Sequence, residues 1–340
     1  MSLADSHLKV LIHHLTPFSL AHGGLQIQIQ RTHEALIAAG VEAEYLRWYD
    51  DRQTGDILHF FGRVPVHYLK LAHEKKLKVV MAELLTQQGS RSRWRLDVQR
   101  IVTRMVRAAA PGVATKAFNW PSYQLADACI ANTAWEKRLM HDLFGAPAEK
   151  LHVVPNGVEE VFFESEPVQR GKWLVCTATI TERKRVLELA KAAVEAKTPL
   201  WVVGKPYHES DQYFRQFVEL VKKHPQLLRY EGGVSDRARL ARIYREAHGF
   251  VLLSAMETLS LSADEAAACQ APMLLSDLPW ARVTFGDSAT YCPIAGCDAT
   301  AKILGKFYQD APNLPRPRLP PMWTEVARQF KAVYEKVLKS

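Results

Sequence analysis

Residues 249–268 read GFVLLSAMETLSLSADEAAA, and this stretch decides the fold. Its apolar start, Gly249–Leu253, predicts a buried strand, and the residues beyond predict a helix. Glu257 follows the strand at the carboxyl edge, where open α/β sheets bind ligands, and Glu265 lies in the first turns of the helix. A carboxylate is a good acceptor for vicinal hydroxyls. The spacing from Ser262 to Glu265 also fits a capping box, so a ligand site and a helix cap both remain open for Glu265.

On both sides of this stretch, short apolar strands alternate with longer helical patterns, which predicts parallel sheets between layers of helices. The predicted strands are Lys9–His13, Ala43–Leu46, Ile57–Phe60, Lys78–Met81, Ala128–Ala131, Leu151–Val154, Trp173–Ala178, Leu200–Val203, Leu228–Glu231, Gly249–Leu253 and Met273–Leu275. The predicted helices include Gln26–Ala39, Trp135–Leu143, Arg185–Ala196, Tyr213–Lys223, Asp236–Glu246 and Ser262–Cys269.

The chain length of 340 residues indicates about two domains, at roughly 150 residues per domain. The turn-forming, acidic segment after Gly157 predicts the boundary, which gives domains of residues 1–160 and 161–321. A last helix, about residues 322–340, follows a proline-rich stretch. Its apolar side chains recur at helical spacing: Trp323, Val326, Phe330, Val333, Tyr334 and Val337. They indicate packing either within the second domain or back onto the first.

The composition, 48% hydrophobic and 24% charged, is that of a globular enzyme. The five cysteines show no CxxC or metal-ligand spacing, so we expect a cytoplasmic protein without bound metal. The N-terminal apolar run is too short for a signal peptide or a membrane span. A net charge of +8 favours anionic partners without choosing among nucleotides, nucleic acid and acidic lipid.

Two strand-to-helix turns are candidate anion sites. The first, Ala21-His22-Gly23-Gly24, opens the first long helix, where backbone N–H groups and the helix dipole favour a diphosphate. An ordinary turn explains it equally well, and the absence of GxGxxG disfavours a nicotinamide dinucleotide. The second turn carries Arg183, Lys184 and Arg185, which an anionic ligand would neutralise. A solvated charge run is the alternative.

Taken in order along the chain, these motifs resemble the retaining GT-B glycosyltransferases of family four, also called glycosyl transferases group 1. The matching segments are Gly23-Gly24, Asp56–Gly62, Val153-Val154-Pro155-Asn156-Gly157-Val158, the turn with Lys184, Val202–Lys205, Gly233-Val234-Ser235, the E-x7-E run from Glu257 to Glu265, and Ala271–Asp277. The combination of Pro-Asn-Gly-Val with E-x7-E is more specific than either piece.

The resemblance implies two Rossmann-like doubly wound domains facing across a cleft, an N-terminal acceptor domain and a C-terminal domain for a nucleotide-diphosphate sugar. It also implies that the last helix, about residues 322–340, crosses back to the first domain. It implies metal-independent hexosyl transfer (EC 2.4 type) to a sugar, lipid or small-molecule acceptor, without a cofactor. Glu257 and Lys184 are the implied catalytic residues, with Glu257 on sugar hydroxyls and Lys184 on the diphosphate. The implied donor-binding residues are Gly23, Gly24, Arg183, Lys184, Gly204, Val234, Thr258, Leu259, Ser260 and Glu265, with Glu265 on the ribose.

Four places depart from the family pattern. Thr179 stands where the family usually has an arginine, and Met81-Ala82-Glu83 stands where a histidine is common. Thr258-Leu259-Ser260 replaces the glycine-containing run usual after the first glutamate, and Gln270 replaces a glycine. These differences motivate an alternative function, a catalytically weak or inactive GT-B protein that binds nucleotide sugars in a regulatory role. A GT-B epimerase or phosphorylase ranks third, because the Pro-Asn-Gly-Val and E-x7-E pair fits transferases better.

The basic stretch Arg91–Arg107 predicts an amphipathic helix in the acceptor domain. Its six arginines accompany an apolar stripe of Val98, Ile101, Val102 and Met105. A solvated helix face is the simpler interpretation. The functional one is contact with an acidic acceptor or with an anionic membrane, which would place the protein peripherally at the inner membrane surface. We expect no nucleic-acid binding, because no recognised binding motif accompanies the charge.

Overall fold

The computed structural model describes residues 8–19, 23–163 and 168–340. They form two compact units, with divisions at Gly157/Val158 and at Pro320/Pro321. The first unit joins the chain up to Gly157 with residues 321–340, and the second is the continuous segment between them. Among the described residues, no helix has the length and apolar character needed to cross a bilayer.

The first unit contains a six-stranded parallel sheet in the order β2-β1-β3-β4-β5-β6. Its strands are β1 (Lys9–His13), β2 (Glu42–Tyr45), β3 (Ile57–Phe61), β4 (Lys78–Ala82), β5 (Ala128–Ala131) and β6 (Leu151–Val153). Its helices are α1 (Gly24–Ala38), α2 (Val66–Glu74), α3 (Thr86–Gly89), α4 (Arg93–Ala109), α5 (Pro111–Lys116), α6 (Ser122–Leu125), α7 (Ala134–Phe144) and, at the end of the chain, α14 (Trp323–Leu338).

The second unit contains another six-stranded sheet, in the order β12-β11-β10-β7-β8-β9. Its strands are β7 (Leu174–Thr177), β8 (Leu200–Val203), β9 (Leu228–Tyr230), β10 (Gly249–Leu252), β11 (Met273–Ser276) and β12 (Thr290–Cys292). Its helices are α8 (Val186–Glu195), α9 (Gln212–Lys223), α10 (Arg237–Glu246), α11 (Leu261–Ala268), α12 (Pro279–Phe285) and α13 (Cys297–Asp310). The order is the doubly wound one of Rossmann-like folds.

The strand predictions are confirmed, because all eleven predicted strands are present with ends that differ by at most one residue. Most residues of these strands are buried on both faces, as expected for parallel sheets covered by helices. The sequence analysis missed β12, a strand of three residues, and did not specify α2, α3, α5, α6, α12 or α13.

The last helix, α14, belongs to the first unit, which confirms that the chain crosses back. Its predicted apolar stripe is buried, and it packs beside α1. Within this packing the Tyr334 hydroxyl lies 2.7 Å from His59 Nδ1 on β3. Gly157 lies where a Cβ atom would come within 2.7 Å of the Trp323 backbone. A glycine is therefore needed where the chain leaves the first unit and α14 begins.

Candidate functional site

The strand order of the second unit reverses between β7 and β10, which are hydrogen-bonded neighbours. The chain continues from β7 to β8 on one side and from β10 to β11 on the other, so the segments after these two strands enclose a crevice. In open α/β sheets this is the usual place for a ligand. The Ala255 N–H donates to the Arg183 carbonyl at 2.8 Å, which joins the two segments directly.

Lys184 and Glu257 meet at this crevice. The Thr181 side chain caps a short 3₁₀ turn, Glu182–Lys184, and thereby sets where the two cations of the turn lie. The Lys184 ammonium donates to Glu257 Oε1, and Arg183 Nη1 lies 3.2 Å from the same oxygen. Arg183 also donates to the Met256 carbonyl at 2.8 Å. Sequence reasoning paired these residues only through a common ligand, whereas the structure brings them into direct contact.

Both cations are more accessible than the acid that holds them. The side chain of Glu257 is 8% exposed, compared with 12% for Lys184 and 36% for Arg183. The carboxylate therefore acts as a buried anchor, and the guanidinium of Arg183 extends toward solvent. This arrangement presents positive charge at the sheet edge, where an oxyanion would be stabilised.

The segment Thr258–Ser260 leads from Glu257 into α11. Thr258 and Ser260 are buried and Leu259 is half-buried. The Ser260 side chain accepts a hydrogen bond from the Ala263 N–H at 3.4 Å, so Ser260 is the N-cap of this helix. The electropositive end of α11 thus begins three residues after Glu257.

The interpretation of Glu265 as part of a capping box with Ser262 is wrong. Ser262 lies inside α11, so it cannot serve as the N-cap. The carboxylate of Glu265 is instead held by side chains of α10: Arg237 Nη2 lies 2.5 Å from Oε1, and the Tyr244 hydroxyl donates to Oε2 at 3.1 Å. The Glu265 side chain is 9% exposed at the same time. Sequence reasoning missed both partners.

The network around Glu265 extends back to the crevice. Tyr244 hydroxyl lies 2.5 Å from Thr177 Oγ1, at the carboxyl end of β7. Arg237 also contacts Glu159 at 2.5 Å and stacks over the Phe162 ring at 4.7 Å. Burial raises the pKa of Glu265, while the Arg237 cation opposes that rise. Arg237 therefore favours the ionised carboxylate, the form that accepts hydroxyl hydrogen bonds.

Gly204 holds the strand ends of the second unit together. It follows β8 with a φ of +153°, and a Cβ atom here would come within 1.8 Å of the Ala178 carbonyl oxygen. Its N–H donates to the Gly232 carbonyl at 2.7 Å, and its carbonyl accepts from the Tyr230 hydroxyl at 3.1 Å. The structure thus gives Gly204 a packing role. Val234, in the loop before α10, packs half-buried against the core.

Gly23 and Gly24 lie in the first unit, at the start of α1. Gly23 is the N-cap residue with a φ of +148°, and no acidic residue follows in the first turn. The predicted neighbours Ala21 and His22 lie outside the described residues. The strand order of this sheet reverses between β1 and β3, and α1 follows β1. Phosphate binding by these glycines stays a prediction.

Glu83, which stands near the place of the family histidine, is fully engaged. It follows β4, and its two oxygens accept bonds from Arg63 Nη2 at 2.9 Å and Nε at 3.0 Å. The buried Tyr123 hydroxyl donates to the same carboxylate. Arg63 Nη1 donates further to the Phe118 carbonyl at 2.9 Å. The pair stabilises the first unit internally.

Family comparisons match both halves of the chain. The model for Glycosyltransferase Family 4 matches residues 56–161. The model for Glycosyl transferases group 1 matches residues 171–310. A search of curated proteins finds no match.

Solved structures show the same fold at low sequence identity. A glycosyltransferase from Rickettsia africae has a TM-score of 0.67 and 12% identity, over 99% of this chain and 100% of that one. Anabaena HepE, solved with UDP and glucose, has a TM-score of 0.64 and 11% identity, over 98% and 99% of the chains. Sucrose-phosphate synthase from Thermosynechococcus elongatus has a TM-score of 0.64 and 15% identity, over 98% and 97%.

The alignment with the pneumococcal O-GlcNAc transferase GtfA covers 57% of that chain. The two parallel sheets and these neighbours confirm the predicted GT-B fold. The family models, which match both halves of the chain, support a glycosyltransferase with this fold.

Proposed function

We propose that the protein transfers a sugar from a nucleotide-diphosphate sugar to a sugar, lipid or small-molecule acceptor, with retention of configuration. The observation that carries the proposal is the pairing of Lys184 and Arg183 with buried Glu257 at the switch point of the second sheet. The two cations outnumber the one carboxylate there, beside the N-terminus of α11. Such an edge suits a diphosphate.

In this proposal the bond between the sugar C1 and the diphosphate oxygen breaks, and negative charge develops on the departing nucleoside diphosphate. Lys184 and Arg183 stabilise that charge, assisted by the backbone N–H groups of Thr258–Ser260. Glu257 is then released from the cations and accepts hydrogen bonds from sugar hydroxyls. The acceptor hydroxyl forms the new bond to C1 and passes its proton to the departing diphosphate oxygen.

Glu265 holds the ribose in the same proposal. Its carboxylate is already oriented by Arg237 and Tyr244, so little side-chain entropy is lost when the ribose hydroxyls bind. Gly204 and Val234 contribute to the wall of the donor site. UDP is the first nucleotide to test, because Anabaena HepE was solved with it.

Thermal unfolding with UDP, GDP, ADP and TDP tests the donor site. A nucleotide at 100 times its Kd should add about 2.7 kcal/mol to the free energy of unfolding. We expect a Tm increase with one of them, lost in Glu265→Ala and kept in Glu231→Ala, a control acid paired with Arg239 in the same unit. No increase with any nucleotide at millimolar concentration contradicts the proposal.

Transfer itself needs a second measurement. Turnover of the identified donor in the presence of EDTA tests metal independence, and the anomeric configuration of the product by NMR tests retention. The alternative, a nucleotide-sugar binding protein with little turnover, is favoured by Thr179 and by the engagement of Glu83. Slow hydrolysis of the donor without acceptor, abolished in Glu257→Ala, would argue against that alternative.

We also propose a cytoplasmic location. All five cysteines are unpaired, and four of them are buried. A reducing compartment is where such thiols persist. Fractionation of cells expressing the tagged protein tests this location.

A further inference from the structure

Helix α4 (Arg93–Ala109) turns a row of large apolar side chains to the outside of the first unit. Their exposed fractions lie between 50% and 64%, and they recur at intervals of four, three, one and three residues: Trp94, Val98, Ile101, Val102 and Met105. This spacing places them on one face of the helix. We call this face the α4 stripe.

The opposite face of α4 attaches the helix to its unit. Leu96 and Thr103 are buried there, and Val106 packs against the core. The Arg107 guanidinium donates to the Phe144 carbonyl at 2.8 Å at the end of α7. The most apolar face of the helix is therefore the outer one. A surface helix of a globular protein usually turns its most apolar face toward the core. The exposed α4 stripe therefore indicates a surface that binds a membrane or another protein.

Arginines line both borders of the α4 stripe. Arg93 and Arg104 lie along one border and Arg95 along the other, and all three are exposed. Asp97 is the one acid of the helix, and it pairs with Arg100 at 3.0 Å. Long arginine side chains reach from an apolar layer to charged groups above it. The helix thus combines apolar contact with excess positive charge.

The apolar surface continues beyond the end of α4. Val113 in α5 (Pro111–Lys116) is 48% exposed, and Phe118, just after that helix, is 45% exposed. The basic side chain of Lys116 lies between them in sequence and is also exposed. The same combination of apolar and cationic side chains therefore extends over two consecutive helices.

We propose that the α4 stripe binds the surface of a lipid bilayer that contains anionic phospholipids. The apolar side chains enter the boundary between headgroups and acyl chains, and the bordering arginines contact lipid phosphates. A flat, anionic surface fits a single projecting helix with cations on both borders. A protein partner would have to supply both an apolar groove and acids along its two rims.

Vesicle flotation tests the proposal with the full chain. We expect the protein to float with phosphatidylglycerol-containing vesicles and to stay at the bottom with pure phosphatidylcholine. Val98→Glu/Ile101→Glu should lower the partition coefficient at least about tenfold. The matched control is Ile37→Glu/Leu71→Glu, which places the same charges at similarly exposed positions on α1 and α2 and should bind like the wild type.

The cationic borders are tested separately. Arg95→Gln and Arg104→Gln should each lower binding to anionic vesicles about fivefold. Added salt should also lower this binding. Circular dichroism melting of every variant checks that the fold is kept.

Three results would overturn the proposal. These are absence of flotation with anionic vesicles, equal flotation of the stripe and control variants, and equal binding to phosphatidylcholine. Concentration-dependent dimerisation that only the stripe variant abolishes, without vesicle binding, would assign the stripe to a second copy of the chain instead.

Discussion

The two sheets have the same number of parallel strands, but ion pairs at their carboxyl edges differ. In the first unit, Arg63 and Glu83 are 19% and 15% exposed, and the described contacts engage every guanidinium nitrogen and both carboxylate oxygens. In the second unit, one oxygen of Glu257 contacts both Lys184 and Arg183, and Arg183 is 36% exposed. Glu83 therefore stabilises the first unit, whereas Glu257 holds two cations at the sheet edge of the second unit.

Substituting the two acids should separate these roles, with the largest effect at Glu257. Glu257→Gln removes the anchor of Lys184 and Arg183 and should lower kcat by about 10²- to 10³-fold, in addition to a loss of stability from the broken ion pair. Glu83→Gln leaves Arg63 without its full partner and should cost about 2 kcal/mol of stability, with kcat nearly unchanged. Steady-state kinetics and urea unfolding measure both.

A large loss of kcat in Glu83→Gln would break this comparison. It would mean that the ion pair of the first unit opens during turnover and that Glu83 takes part in the reaction.

Two glycines that directly follow strands, Gly204 after β8 and Gly62 after β3, offer a second contrast. Gly204 and Gly62 both have positive φ, at +153° and +120°. A Cβ atom at Gly204 would collide with the Ala178 carbonyl, whereas at Gly62 its nearest neighbour is Phe60 Cε1 at 3.6 Å. Gly204→Ala should therefore cost about 3 kcal/mol or more, and Gly62→Ala about 1–2 kcal/mol. Equal urea midpoints for the two variants would contradict the close approach at Gly204.

Arg237 should affect nucleotide binding through Glu265. Arg237→Met should weaken binding about 10- to 30-fold at neutral pH, because the buried carboxylate loses the cation that favours its ionised form. Loss of that cation raises the pKa of Glu265 further, so the defect should grow as the pH falls. Isothermal titration over a pH series measures this, with Arg239→Met as the control on the same helix. A pH-independent defect would indicate a merely structural role.

Acid should act on the first unit through buried histidine. Burial lowers the pKa of His59 to about 3 and that of His13 to about 4, below the ordinary 6.5. The unfolded chain therefore binds protons below pH 6.5 that the folded unit does not, and stability falls as the pH decreases toward these values. Each histidine contributes about 1.4 kcal/mol per pH unit between pH 6 and 5.

The double variant His59→Phe/Tyr334→Phe isolates one of these contributions. It removes both polar partners while keeping their shapes, so it should be nearly neutral at pH 7. Its urea stability should depend less on pH than that of the wild type, by about one proton. An unchanged pH slope would show that His59 is protonated in the folded state.

The strands of the sheets were predictable because buried parallel strands read as short apolar runs between turn residues. β12 was not, since Thr290–Cys292 contains no aliphatic residue, whereas the equally short β6 and β9 each begin with a buried leucine. α13 carries an apolar row at Ala301, Leu304 and Phe307, so its periodicity was available in the sequence. Helix ends were harder: Ser260 and Ser262 are both good caps, and only the backbone shows that Ser260 is used.

The site was partly predictable for a similar reason. Lys184 and Glu257 each follow a strand, and the meeting of their strands at the switch point follows from the strand order. Arg237 could not be assigned from sequence, because it lies on a helix whose rotation relative to α11 depends on packing. The outward orientation of the α4 stripe could not be predicted from the sequence either, since periodicity identifies an apolar face but not the direction in which it points.

Helix α14 has a consequence for the order in which the protein can be made. His59 is translated long before Tyr334, its partner 275 residues later, and the whole second unit is translated between them. On the ribosome, the continuous second unit can therefore complete its core while the first still lacks a helix. Until α14 is synthesised, the face of α1 that it covers stays exposed on the nascent first unit. Chaperones can bind this exposed face during that time.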